Sequence, residues 1–143
     1  MKRVIFLSLV IILVIGSCTQ EKSPIEGAWK CIYGKSGSSA LEFPNQIKGE
    51  QIKVWTKEHF ILVGQVKWPT DTVFRYNYAS GTYVLNGNRY EENVKIHASK
   101  GTMGRTVNMI MEVRNDTLIQ SWSVDENWNL RERHSIEKYV RLE

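Results

Sequence analysis

SGTYVLNGNRYEENV, residues 80 to 94, decides the fold. Asn86-Gly87-Asn88 stands between Leu85 and Arg89. Asn and Gly accept positive φ at low cost, which is what a tight hairpin turn demands. The flanks are rich in Tyr, Val, Thr and Leu, residues that fit a pleated, half-buried surface. The segment therefore reads as two antiparallel strands, Gly81 to Asn86 and Arg89 to Ala98, joined tip to tip. The same grammar recurs on both sides. Asn115-Asp116 separates Arg114 from Thr117 as a second hairpin, and SKGTMG, 99 to 104, makes a longer connection. Further strands are expected at Gly27 to Tyr33, Gln51 to Thr56, His59 to Val66, Val73 to Tyr78, Arg105 to Arg114, Thr117 to Val124 and Glu137 to Leu142. Residues 34 to 48 have loop composition, with one helical turn expected around Leu41. No long stretch has a period of 3.6 residues, and no internal repeat is present.

Each strand carries one apolar and one mostly polar side. Val107, Met109, Met111 and Val113 share a face, as do Tyr90, Glu92, Val94 and Ile96, and Gly27, Trp29, Cys31 and Tyr33. Nine sequential strands in an open meander would leave two unpaired edges. Closure into an all-β, antiparallel up-and-down barrel of eight to ten strands removes them. A two-sheet sandwich with one core satisfies the same alternation.

The N-terminus reads differently. Lys2 and Arg3 precede a run from Val4 to Ile15 that is apolar except for Ser8. Twelve residues fall short of the roughly 20 that cross a bilayer core, and match the apolar region of a secretory signal. Ile15-Gly16-Ser17-Cys18 resembles the lipobox of bacterial lipoproteins. That resemblance implies a cleaved signal over residues 1 to 17, a diacylated Cys18 thiol, and a lipidated tether over 18 to 24 ahead of a domain at 25 to 143. The expected location is the bacterial cell envelope, anchored in a bilayer and assigned to the outer membrane. Two or more acyl chains give durable anchoring where one does not. The competing reading is an ordinary signal or an uncleaved anchor with an incidental cysteine. Lipidation of Cys18 leaves Cys31 alone, so no intramolecular disulfide is expected. Cys31 is expected as an inert core residue rather than a reactive thiol.

Loss of Lys2 and Arg3 with the signal takes the 19 basic residues of the chain to 17, against 15 acidic ones. The remaining basic residues are scattered, so nothing marks a nucleic-acid surface.

Gly27-Ala28-Trp29 on the first strand and Tyr139-Val140-Arg141 on the last resemble the lipocalin (calycin) superfamily. The resemblance implies that the Trp lies beneath the barrel floor with the Arg across it, a cation–π contact that closes the barrel. Gly27, Trp29 and Arg141 would then be structural. His59-Phe60, Gly81-Thr82-Tyr83 and Tyr90-Glu91-Glu92 stand where the lipocalin-like domain of uncharacterised secreted bacterial lipoproteins carries similar residues. The resemblance covers nearly all of the chain after the signal, with residues 34 to 48 and 65 to 72 matching poorly. It implies a fold and carries little about activity.

Glu92 shares the face of Tyr90 and Val94. An unpaired buried carboxylate is costly, so it needs a partner, and Arg141 and Tyr90 are the candidates. It reads either as a polar anchor for a ligand head group or as half of a structural pair. His59, His97 and His134 have no metal-binding spacing, so neither a metal nor another cofactor is expected. No nucleophile motif occurs, and GKSGSS, 34 to 39, lacks the lysine–hydroxyl arrangement of a phosphate loop. A binding protein is expected rather than an enzyme. Trp68 and Trp128 lie in or beside loops, either stacking on a partner or capping the barrel.

Two functions follow. One is a carrier that holds a small apolar or amphipathic ligand among Tyr83, Tyr90, Glu92, Met109, Met111 and Arg141. The other is an interaction module with a filled barrel, docking an envelope protein or glycan through its loops. Interior space discriminates between them.

Overall fold

The computed structural model describes residues 23–143. The expected signal peptide over 1 to 17, Cys18 and most of the tether lie outside the described residues. Nine strands occur among those described: β1 (Gly27–Lys35), β2 (Glu42–Phe43), β3 (Lys48–Trp55), β4 (His59–Lys67), β5 (Arg75–Asn86), β6 (Arg89–His97), β7 (Thr106–Arg114), β8 (Thr117–Val124) and β9 (Leu130–Arg141). From β3 to β9 each strand pairs antiparallel with the next, and β1 pairs with both β3 and β9. Trp29 faces Lys53 on one side and Arg141 on the other. Eight strands thus close into a barrel without an edge. The two-residue β2 is added outside this circuit, on Gly34 and Lys35 of β1.

The tight turns obey the local chemistry. Gly87 has φ +62° and Asn115 φ +54°, each where a two-residue hairpin needs the left-handed region. Several other expectations give way. The strands expected at Val73 to Tyr78 and Gly81 to Asn86 merge into one, β5, which starts at Arg75, two residues late, and runs unbroken through Ala79-Ser80. The helical turn near Leu41 is absent, and Glu42 and Phe43 form β2 there. The last strand begins at Leu130, seven residues before the expected start.

Bulges reset the faces. Gly81 faces Val94 while Ser80 faces Ile96, so Lys95 is an extra residue on β6. Beyond it the alternation inverts, and Ile96 is exposed instead of sharing the face of Tyr90 and Val94. The bulge brings backbone close to Gly81, where a Cβ would lie 2.0 Å from the Asn93 carbonyl oxygen. A second bulge at Ile32 turns Tyr33 outward, away from Trp29 and Cys31, under the Lys138 ammonium. On β7 the inward face keeps Met109 and Met111 buried, but Val113 at its end is exposed.

The barrel has two unlike halves. At the floor, where β1 starts and β9 ends, Trp29, Trp55, Phe60, Tyr90, Leu118 and Tyr139 are fully buried. Each such side chain removed from water contributes roughly 1.5–3 kcal/mol. Polar tips are satisfied: the Trp29 indole donates to the Ile25 carbonyl at 2.8 Å and the Trp55 indole to the Tyr90 hydroxyl at 2.9 Å. The Arg141 guanidinium lies 4.2 Å from the Trp29 ring centroid and donates to the Pro24 and Glu26 carbonyls. The other end, reached by the loops after β1, β4, β6 and β8, is not filled.

Candidate binding cavity

β3 directs Gln51, Lys53 and Trp55 inward, so its buried face is its polar one. β6 adds Glu92, β8 adds Gln120 and β9 adds Glu137. Together they form a polar layer above the aromatic floor. Lys53 is 1% exposed and its ammonium sits 2.6 Å from Glu92 Oε2 and 3.2 Å from Gln120 Oε1. Three aromatic faces enclose the same ammonium, with Trp55 and Phe60 at 4.9 Å and Tyr90 at 5.8 Å. The Tyr90 hydroxyl donates to Glu92 Oε2 at 3.0 Å. Burial, and then the Glu92 carboxylate, push the Tyr90 phenol well above its ordinary pKa, so it stays a donor.

A second chain of hydrogen bonds runs beside the first. Asn77 donates to Gln51 Oε1 at 2.7 Å, and Gln51 Nε2 donates to the Tyr139 hydroxyl at 2.8 Å. The Tyr139 hydroxyl donates in turn to Glu137 Oε2. Glu137 Oε1 has only a long contact, 3.5 Å, from Gln51 Nε2. Burial raises the Glu137 pKa, opposed by the Tyr139 hydrogen bond, the Lys53 charge and Gln51.

Above this layer lie two cavities that share Gln51, Asn77, Trp122 and Glu137 as their partition. One, of about 190 Å³, is walled by Phe43, Ile47, Val66 and Trp68. The other, of about 250 Å³, is walled by Leu62, Ala79, Val94, Val107 and Met109. Both are mainly apolar, with a few convergent polar groups, the usual make-up of a small-molecule site.

The expected site residues divide between the halves. Glu92 and Met109 line the second cavity. Tyr90 and Met111 are packed in the buried core and line neither cavity. Tyr83 stacks on Tyr90 at 5.2 Å and donates to the Thr56 carbonyl at 2.6 Å, at the floor end. Arg141 was expected both to close the barrel and to meet a ligand or Glu92. It lies at the floor over Trp29, lines neither cavity, and leaves Glu92 to Lys53. Gly27 lies beneath it, with no room for a Cβ, which would sit 2.6 Å from Arg141 Nη1. Of the loop tryptophans, Trp68 walls the first cavity, while Trp128 stacks outside on Arg89, 5.6 Å from ring centroid to guanidinium. Among the described residues no three His, Cys, Asp or Glu side chains are grouped to hold a metal ion.

Lys53, Gln51, Gln120 and Glu137 escaped the reading of the sequence. One signal was available. Tyr90-Glu91-Glu92 and Glu137-Lys138-Tyr139 both place a Tyr and a Glu two residues apart, hence on one face of a strand. In both, the phenol donates to the carboxylate. No family model matches the chain, and no curated protein matches it.

Proposed function

We propose that the chain is a membrane-anchored bacterial lipoprotein whose lipocalin-like barrel binds a small apolar or amphipathic ligand at its unfilled end. The observation that carries this reading is the pair of adjoining cavities above a sealed aromatic floor. The contact of Arg141 with Trp29 supports the lipocalin-like assignment, and the lipobox-like Ile15 to Cys18 supports the anchor. Arg141 also holds the Pro24 and Glu26 carbonyls at the floor. Six residues after Cys18 span at most about 20 Å. A lipid on Cys18 therefore favours the floor towards the bilayer and the cavities away from it.

Native mass spectrometry of the full chain, purified in mild detergent from bacterial cells, tests the reading. An added mass lost on denaturation is expected, and Met109→Trp, which fills the second cavity, is expected to remove or weaken it without unfolding. A bare protein mass together with no uptake of apolar probes refutes it.

A second reading has one observation in its favour. Ile61, Val63, Tyr78 and Ile96 are exposed on the outer wall of β4 to β6, and Tyr76 beside them is 82% exposed. Val63 directly faces Tyr78, and Ser80 links Ile61 to Ile96, so the residues form one apolar patch. Such a surface suits docking to an envelope protein. Loss of a co-purifying partner on Val63→Lys, with any bound ligand retained, would favour it.

A further inference from the structure

The cavity holds one carboxylate whose charge is not answered. Lys53 is committed to Glu92. At the rim, Lys35 pairs with Glu42 at 2.9 Å and Glu50 with Lys30 at 2.9 Å. Glu137 enters no ion pair among the described residues, yet lines both cavities. Its Oε2 accepts from Tyr139, while Oε1 keeps acceptor capacity beyond the long Gln51 contact. With Lys53 positive and Glu92 and Glu137 negative when ionised, the interior layer carries one surplus negative charge.

Space is kept beside that group. A Cβ on Gly34 would stand 3.7 Å from Glu137 Cγ and 3.8 Å from Phe43 Cβ. The absent side chain thus leaves a methyl-sized gap between the stems of Glu137 and Phe43, both of which line the first cavity. Trp68 and Trp122 add further aromatic surface to the same cavity. Aromatic faces and a carboxylate both attract an ammonium, and neither attracts an anion.

We propose that Glu137 selects a small cationic amine with an apolar body, its ammonium on the Glu137 carboxylate and its body between Phe43, Trp68 and Trp122. This rests on the reading of the cavity as a ligand site and names the ligand's class. Burial raises the Glu137 pKa in the empty protein, so an incoming ammonium favours ionisation and displaces a proton. Affinity for an amine then rises with pH as Glu137 ionises. The groups facing it are Tyr139 on its own strand, Cys31 on β1, Gln51 and Lys53 on β3 and Glu92 on β6, with His97 across the second cavity. His97 lines the second cavity and repels a cation when protonated, so its share has to be separated.

The test is isothermal calorimetry on the full chain in nonionic detergent, with a detergent-only blank, using phenethylamine, phenethyl alcohol and hydrocinnamate. These share one aryl frame and differ in the charge of the head. The amine is expected to bind at least about tenfold tighter than the alcohol, a difference of about 1.4 kcal/mol, and the anion weakest. Glu137→Gln is expected to erase the preference for the amine while the alcohol still binds. Should that variant unfold, the pH profile decides in a His97→Gln background: amine affinity rises with pH above the ordinary carboxylate range, as the raised Glu137 group ionises, while alcohol affinity stays flat. Equal binding of all three, tighter binding of the anion, or a flat amine profile overturns the amine proposal and leaves the cavity as an apolar ligand site. Failure of all three to bind a chain with intact circular dichroism overturns both.

Discussion

Glu92→Gln removes the charge that neutralises Lys53 and leaves the shape of the site intact. At 2.6 Å and an effective dielectric near 20, the pair attracts by about 6 kcal/mol. That is a gross figure. Desolvation costs several kcal/mol for each ion, so the intact pair is close to neutral for stability relative to an apolar pair of the same volume. Removing one member is a different event. The Lys53 side chain is only 2% exposed, so the stranded ammonium is largely cut off from water, with the second cavity, which it lines, as its approach to solvent. The faces of Trp55, Phe60 and Tyr90 and the Gln120 oxygen compensate in part. The expected loss is about 3–5 kcal/mol, a large share of the 5–15 kcal/mol typical of a whole domain. Lys53→Met combined with Glu92→Gln removes both charges and is expected to recover most of it. Urea unfolding followed by tryptophan fluorescence measures all four proteins, and the slopes must agree for the comparison to hold. A Glu92→Gln loss under about 1 kcal/mol, or single losses that simply add in the double variant, would falsify the account of a buried, mutually dependent pair.

Three further outcomes follow from particular contacts. Trp128 has φ +66°, a conformation that strains a residue with a Cβ, so Trp128→Gly should exceed Trp128→Ala in stability by about 1 kcal/mol. Both variants lose the stacking on Arg89, so their difference isolates the backbone, and equal unfolding midpoints would remove the strain argument. Burial, and then the Glu137 charge, push the Cys31 thiol up to about 12, so a thiol-reactive dye at about pH 8 should label it only after unfolding. Labelling of folded protein at the rate of a free thiol contradicts that burial. Glu137, whose pKa is raised in the folded state, binds its proton more tightly folded than unfolded. Its contribution is fully present below the unfolded value and is lost as pH rises through the folded one. Glu137→Gln should therefore flatten the decline in stability above the ordinary carboxylate range, and an unchanged profile would assign the decline to another group.

The turns were legible because their chemistry is local. Asn86-Gly87-Asn88 and Asn115-Asp116 dictate positive φ whatever surrounds them, and the strands on either side follow. Ala79-Ser80-Gly81 misled for the opposite reason. Three small residues read as a break, yet the strand runs through them, and Gly81 is small because the β6 backbone crowds it at the Lys95 bulge. Bulges at Ile32 and Lys95 are set by how neighbouring strands meet around a closed circuit, and no single strand records that. The phase of β3 was hidden more deeply. Ile52 and Val54 point outward, and Gln51 and Lys53 point in, so the ordinary assumption that apolar means inward selects the wrong face. Glu92 could be singled out from Tyr90 and Val94 beside it. Its partner could not, since Lys53 is 39 residues away and three strands across the barrel.

The placement of large and small inward residues bears on function more directly than any one contact. The floor shows that this barrel can be filled, since Trp29, Trp55, Phe60, Tyr90 and Tyr139 leave no room there. At the opposite end the inward positions hold Gly34, Val66, Asn77 and Ala79. Space therefore follows from side-chain size and not from barrel diameter, which the same eight strands share. Between the halves stands a polar layer, and a half-satisfied network is worse for stability than an apolar core. The Lys53 side of that layer is satisfied and belongs to structure. The Glu137 side keeps an open acceptor on both cavities, and a barrel selected for stability alone would close it with a second cation or replace it with an apolar residue. Under the proposed function, that asymmetry makes Glu137, rather than Glu92, the polar group left open to a ligand.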